Sequence, residues 1–83
     1  MVKYVVVVKD TLNGKDYYLN PVADYPVADY LDQLTTDLGV APKFSSEELA
    51  EEAYWISKGR IPIGCSVAIY ALEGEDFKLY KTL

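Results

Sequence analysis

The side chains that most often carry reaction chemistry are scarce in this chain. Histidine is absent from its 83 residues, so they cannot assemble a Ser-His-Asp triad, a Cys-His pair or a zinc site with imidazole ligands. Cys65 is the only cysteine, which rules out a four-cysteine metal site and an internal disulfide. In its apolar stretch it reads as a small buried hydrophobe. Neither the dinucleotide-binding glycine fingerprint nor the phosphate-loop motif occurs, and the five glycines are scattered at turns. What remains is carboxylates. Asp29 and Asp32 fall on one helical face and Glu48, Glu51 and Glu52 on another, but without a pocket such runs are solvated surface rather than acid-base pairs. The chain is therefore expected to be no enzyme and to hold no cofactor and no metal.

Recognition chemistry is better represented. A tandem pentapeptide, Pro21-Val22-Ala23-Asp24-Tyr25 followed by Pro26-Val27-Ala28-Asp29-Tyr30, is too short for a solenoid. It reads first as a duplication in a tolerant loop, and second as two aromatic anchors set among acids for a protein partner. Trp55, the only tryptophan, likewise reads first as core at a helix-sheet boundary. The alternative is an exposed hot spot beside Glu51. The candidate partner-binding residues are Asp24, Tyr25, Asp29, Tyr30, Asp32, Glu48, Glu51, Glu52 and Trp55.

These residues must be positioned by regular elements. Val2 to Lys9 is rich in β-branched residues and suits a strand covered on both faces in its middle. Asn13-Gly14 is a turn signal that predicts two positive φ angles, with Tyr17-Tyr18-Leu19 as the returning strand. From Pro26, the residues Val27, Tyr30, Leu31, Leu34 and Leu38 fall at helical spacing and Gly39 suits the position past the end. They predict a first helix, weakest at Thr35 and Thr36, with the first copy of the repeat as the loop leading into it. A second helix is marked by Ser45 as N-cap, Glu48 completing a capping box, and Phe44 with Leu49 as a hydrophobic staple. Its buried face is expected to carry Leu49, Ala53 and Ile56, with Tyr54 and Trp55 on opposite flanks and Gly59 at the end. From Ile61 the period becomes two: Ile63, Cys65, Val67, Ile69 and Ala71 should face the helices, and Gly64, Ser66, Ala68, Tyr70 and Leu72 the other side. Glu73 to Asp76 is a polar turn, and Phe77, Leu79 and Tyr80 lie in a last strand.

The resulting order, ββααββ, predicts an α+β fold: a small antiparallel or mixed four-stranded sheet with two helices on one face, as one domain over residues 1–83. A chain of this length has room for one such layer pair, and its 51% hydrophobic and 25% charged content is that of a folded protein. Eight tyrosines suit half-buried positions, where the ring packs and the hydroxyl stays wet. Val5 to Val8 is far shorter than the roughly 20 apolar residues of a membrane span and too short for a signal-peptide core, so a cytoplasmic protein is expected. The net charge of -5 is uneven: Pro21 to Gly59 carries eight acids against Lys43 and Lys58, while the remainder nets +1. That balance disfavours direct nucleic-acid contact, which needs Lys and Arg on phosphates.

Lys3-Tyr4-Val5-Val6, Tyr17-Tyr18-Leu19, Ala41-Pro42-Lys43-Phe44 and the capped acidic stretch Phe44 to Ala53 together resemble small uncharacterised phage and prophage proteins. These run as a hairpin, a linker, a step into a capped acidic helix and a last pair of strands. The Pro-Val-Ala-Asp-Tyr duplication and Trp55 depart from that pattern. The resemblance implies a non-enzymatic accessory protein that binds a host or phage macromolecule, and supplies no catalytic residue.

The first functional expectation is thus a binding module whose acidic, aromatic-bearing helical layer meets a protein partner, with basic or nucleic-acid-binding partners favoured by electrostatic steering. Its sharper version is an inhibitor imitating nucleic-acid charge, which requires Asp24, Asp29, Asp32, Glu48, Glu51 and Glu52 to form one surface. The alternative is a structural subunit, a homodimer through the sheet face or edge, where Tyr4, Tyr70 and Tyr80 would gather. A small-molecule binder between helices and sheet is the third.

Overall fold

Val5, Val6, Val7 and Val8 are all buried, so consecutive side chains pointing to opposite faces both leave water, and the strand that carries them must sit inside a sheet covered on two sides. That strand is β1 (Lys3–Asp10). The computed structural model describes residues 1–20, 34–61 and 64–83. Along one side β1 pairs with β4 (Cys65–Glu73) over its full length, from Lys3 opposite Leu72 to Asp10 opposite Cys65. On its other side it pairs with β2 (Asp16–Leu19), Val7 standing opposite Tyr18. Beyond the reach of β2, Tyr4 and Phe44 exchange two 2.8 Å backbone hydrogen bonds, so the chain entering the helix continues the sheet there. The short β3 (Leu34–Thr35) flanks β2 and β5 (Asp76–Thr82) flanks β4, which completes an open antiparallel sheet in the order β3-β2-β1-β4-β5.

The fold is α+β, as expected, but among the described residues it has five strands rather than four and one α-helix rather than two. The first helix was expected to run on through Leu34 to Leu38; Leu34 and Thr35 instead form β3, paired with Leu19 and Tyr18. β-branched Thr35 favours an extended backbone, and Leu34 joins Leu19 in the helix-side core. Thr36 to Gly39 follow as a bend and a turn rather than helix. Residues 26–33 of the expected helix, together with the first pentapeptide and Ile63, lie outside the described residues.

Both hairpins form. The Asn13-Gly14 turn takes only one positive φ angle, 73° at Gly14, because the connection is longer than a two-residue turn. Asp10 N–H donates to Lys15 O and Gly14 N–H to Asp10 O, while Asp10 Oδ1 and Asn13 Oδ1 accept from the Leu12 and Lys15 amides at 2.9 and 2.8 Å. Side-chain acceptors thus satisfy loop amides that strand pairing leaves free. The β4–β5 turn places Gly74 at φ 61°, a conformation glycine adopts without a Cβ penalty.

The one α-helix among the described residues, α1 (Glu47–Ser57), is capped by Ser46, whose side chain accepts from the Leu49 amide at 3.2 Å. The cap therefore lies one residue later than the expected Ser45, and Leu49 takes the position that Glu48 was to fill in a capping box. The buried face turns with it. Ala50 and Ser57 are buried, and Ala53 and Tyr54 pack against the core, a spacing of three, four and seven that makes one helical stripe. The expected stripe of Leu49, Ala53 and Ile56 is corrected accordingly. The sheet beneath already supplies bulk through Val6, Val8, Leu19, Val67 and Ile69, so small residues on the helix allow the closer approach.

The alternation predicted for β4 holds: Cys65, Val67 and Ile69 belong to the helix-side core and Tyr70 to the other face. No second helix of the described residues covers that other face. Val5 and Val7 are closed off there by Ala41, Leu38, Tyr18, Tyr70 and Phe77. Lys43 pins this covering loop by donating through Nζ to the carbonyls of Leu38 and Ala41. No helix among the described residues is long and apolar enough to cross a membrane.

Candidate partner-binding site

Turning the small residues of α1 inward turns its large apolar ones outward. Leu49, Trp55 and Ile56 are 47%, 62% and 76% exposed, and Glu48 and Glu52 are exposed with them. Leu49 and Ile56 stand two turns apart with Glu52 between them, and Trp55 lies one turn beyond Glu52 on its other side. Trp55 is thus surface, which overturns its first reading as core. Its ring carries Lys58 Nζ 4.6 Å from the centroid and meets Tyr54 edge-on at 5.5 Å.

One flank of α1 is tied to the sheet. Between Ile69 and Tyr70 of β4 the pairing with β5 slips by one residue, leaving Tyr80 unpaired beside Lys81. Such a bulge lets two neighbouring side chains lean to one side. Both reach the helix: Tyr80 Oη donates to Glu47 Oε2 at 3.0 Å, and Lys81 Nζ donates to Glu47 Oε1 at 3.3 Å and Glu51 Oε1 at 2.9 Å. The hydrogen bond to Glu47 raises the Tyr80 phenol above its ordinary range, since it is made by the protonated hydroxyl beside a negative charge. The carboxylates of Glu51 and Glu47 raise the Lys81 ammonium in the same way. Tyr4 packs edge-on against Tyr80 at 5.2 Å.

Four of the expected site residues are therefore located. Glu48, Glu52 and Trp55 come together on the outer face of α1, whereas Glu51 sits on the flank, its charge balanced by Lys81. Among the described residues Glu48 and Glu52 form no ion pair. Asp24, Tyr25, Asp29, Tyr30 and Asp32 lie outside the described residues. Leu49 and Ile56 were missed because they were assigned to the core; the signal that finds them is the run of small residues at Ala50, Ala53 and Ser57, which competes for the same sheet. Tyr4 and Tyr80 gather on the helix-bearing side while Tyr70 stacks on Phe77 at 4.8 Å on the opposite face, so the three tyrosines do not form one patch.

Elsewhere the chemistry is sparse. Cys65 is half-buried rather than buried; desolvation, then the nearby Asp10 charge, raises its thiol pKa and so lowers its nucleophilic fraction. Among the described residues no group of three or more His, Cys, Asp or Glu could hold a metal ion. A groove of about 170 Å³, lined in part by Val7, Ala68, Tyr70 and Leu79, opens on the face away from α1, not between helix and sheet. It falls below the roughly 300 Å³ at which small-molecule pockets begin. No family model, curated protein or solved structure matches the chain.

Proposed function

We propose that the chain is a non-enzymatic binding module of the phage accessory type, which docks a host or phage protein on the outer face of α1. The observation that carries this reading is the exposure of Leu49, Trp55 and Ile56 on one face of a helix whose opposite face is already packed. Fully burying a large apolar side chain contributes about 1.5–3 kcal/mol, so three half-exposed ones can supply several kcal/mol to an interface. An exposed ion pair adds roughly 0–1 kcal/mol. The apolar residues would therefore hold the partner, and Glu48 and Glu52 would select and steer it. Of the acids that imitation of nucleic-acid charge requires, Asp24, Asp29 and Asp32 lie outside the described residues. Among the others, Glu51 is paired with Lys81, and Glu48 and Glu52 stand beside exposed apolar side chains.

The test compares the parent with a Leu49→Ser/Ile56→Ser variant and a Leu79→Ser control, each checked by circular dichroism, in light scattering at low and high salt and in capture from host lysate. The expected result is a monomer in both salts that retains a partner through Leu79→Ser and loses it in Leu49→Ser/Ile56→Ser. Capture unaffected by Leu49→Ser/Ile56→Ser would overturn the reading. Self-association through the sheet is the second reading, favoured by β5 being an edge strand with Leu79 and Tyr80 half-exposed on it. A dimer that survives high salt and is dissolved by Leu79→Ser would establish it.

A further inference from the structure

We infer that the Trp55 ring is a seat for a cationic side chain of the partner, an arginine or lysine that takes the place now held by Lys58. This rests on the docking reading above and names the chemistry the face selects. Three observations converge. The ring is exposed and already bears an ammonium, Lys58 Nζ at 4.6 Å from its centroid, so its face is open to a cation in this setting. Glu48 and Glu52 lie one to two turns N-terminal of Trp55, exposed and without an ion-pair partner among the described residues. They also stand four apart on the helix, a like-charge spacing that a cation laid across them would relieve. Lys58 stems from the C-terminal side of the ring, so its displacement leaves the approach over the carboxylates clear. The occupant is a basic segment with an apolar edge: the edge covers Leu49 and Ile56 while its cation sits on Trp55 between the ring and Glu52. Arginine suits the seat better than lysine, because a guanidinium stacks on an aromatic plane while donating to a carboxylate.

Because Trp55 is the only tryptophan, its emission reports this seat in the intact chain. The probe is a short amphipathic peptide with arginines beside a leucine edge, compared with the same peptide carrying citrulline, a neutral isostere, at those positions. The arginine peptide is expected to change Trp55 emission saturably and to bind about tenfold more tightly than the citrulline peptide at low salt, the gap closing as salt rises. Lys58→Met, which frees the ring, is expected to tighten arginine-peptide binding about threefold, and Glu52→Gln to weaken it. Equal binding of the two peptides, or weaker binding by Lys58→Met, would overturn the cation seat. If equal binding is also lost in Leu49→Ser/Ile56→Ser, the docking face stands without the seat. If neither peptide binds and lysate capture ignores Leu49→Ser/Ile56→Ser, both readings fall.

Discussion

Leu49 and Ala50 are neighbours with opposite fates, and the difference is one of distance rather than of hydrophobicity. Ala50 is fully buried in the core between α1 and the sheet, while Leu49 is half-exposed. A substitution at each therefore reads out the rotation of the helix. Ala50→Leu is expected to cost about 1–3 kcal/mol of unfolding free energy by overpacking, and Leu49→Ala to stay within about 0.5 kcal/mol, measured as urea midpoints. The reverse ranking would place the Leu49 face inward. At this scale the sequence was legible in part: the acids Glu48 and Glu52 were correctly placed on the helix surface. Leu49, Trp55 and Ile56 were not, because side-chain apolarity says how much a residue gains from burial and nothing about which neighbour already occupies the space.

At the scale of elements, α1 is held in its rotation from two sides, by the small stripe under it and by Lys81 and Tyr80 beside it. The second hold has a pH signature. Both groups have folded-state pKa values raised above their ordinary values, so their contribution to stability is complete below those ordinary values, near 10 for a tyrosine and 10.4 for a lysine. It is lost as pH rises through the folded-state values. The melting temperature is expected to show no loss from this tie between neutrality and about pH 9.5 and to fall beyond about pH 10. Tyr80→Phe/Lys81→Met should fall less steeply over that alkaline window. An equal decline in parent and variant would mean the tie contributes nothing. Both hairpins and the existence of α1 were readable from alternation, Gly and Ser signals. The bulge at Tyr80 was not, since it is a property of the β4–β5 pairing, and β3 escaped because Leu34 also fits a helical period.

Across the whole molecule, stability is centred on β1, flanked on both sides and covered on both faces. Its amides at Val5 to Val8 are expected to exchange hydrogen only by global unfolding, whereas those on the outer edge of β5 exchange by local opening. Native-state hydrogen exchange in low denaturant checks this. Protection of the β5 edge equal to that of Val5 to Val8 would indicate a partner strand on that edge, and so favour self-association over a monomeric docking module. The β1–β4 pairing joins residues from opposite ends of the chain, so slow acquisition of this centre relative to the hairpins follows from loop-closure entropy.

By itself the sequence determined the class of fold, the central place of Val5 to Val8, the two hairpins, the inward and outward sides of β4, and the scarcity of catalytic side chains in these 83 residues. Those properties are local: periodicity, turn chemistry and composition act within a few residues of one another. Tertiary structure alone decided the order of the strands, the strand at Leu34, the face that α1 buries and the exposure of Trp55 beside Glu52. Each of these depends on competition between distant segments for the same apolar surface. The small side chains of Ala50, Ala53 and Ser57 won that competition because the valines and leucine of the sheet had already filled the space.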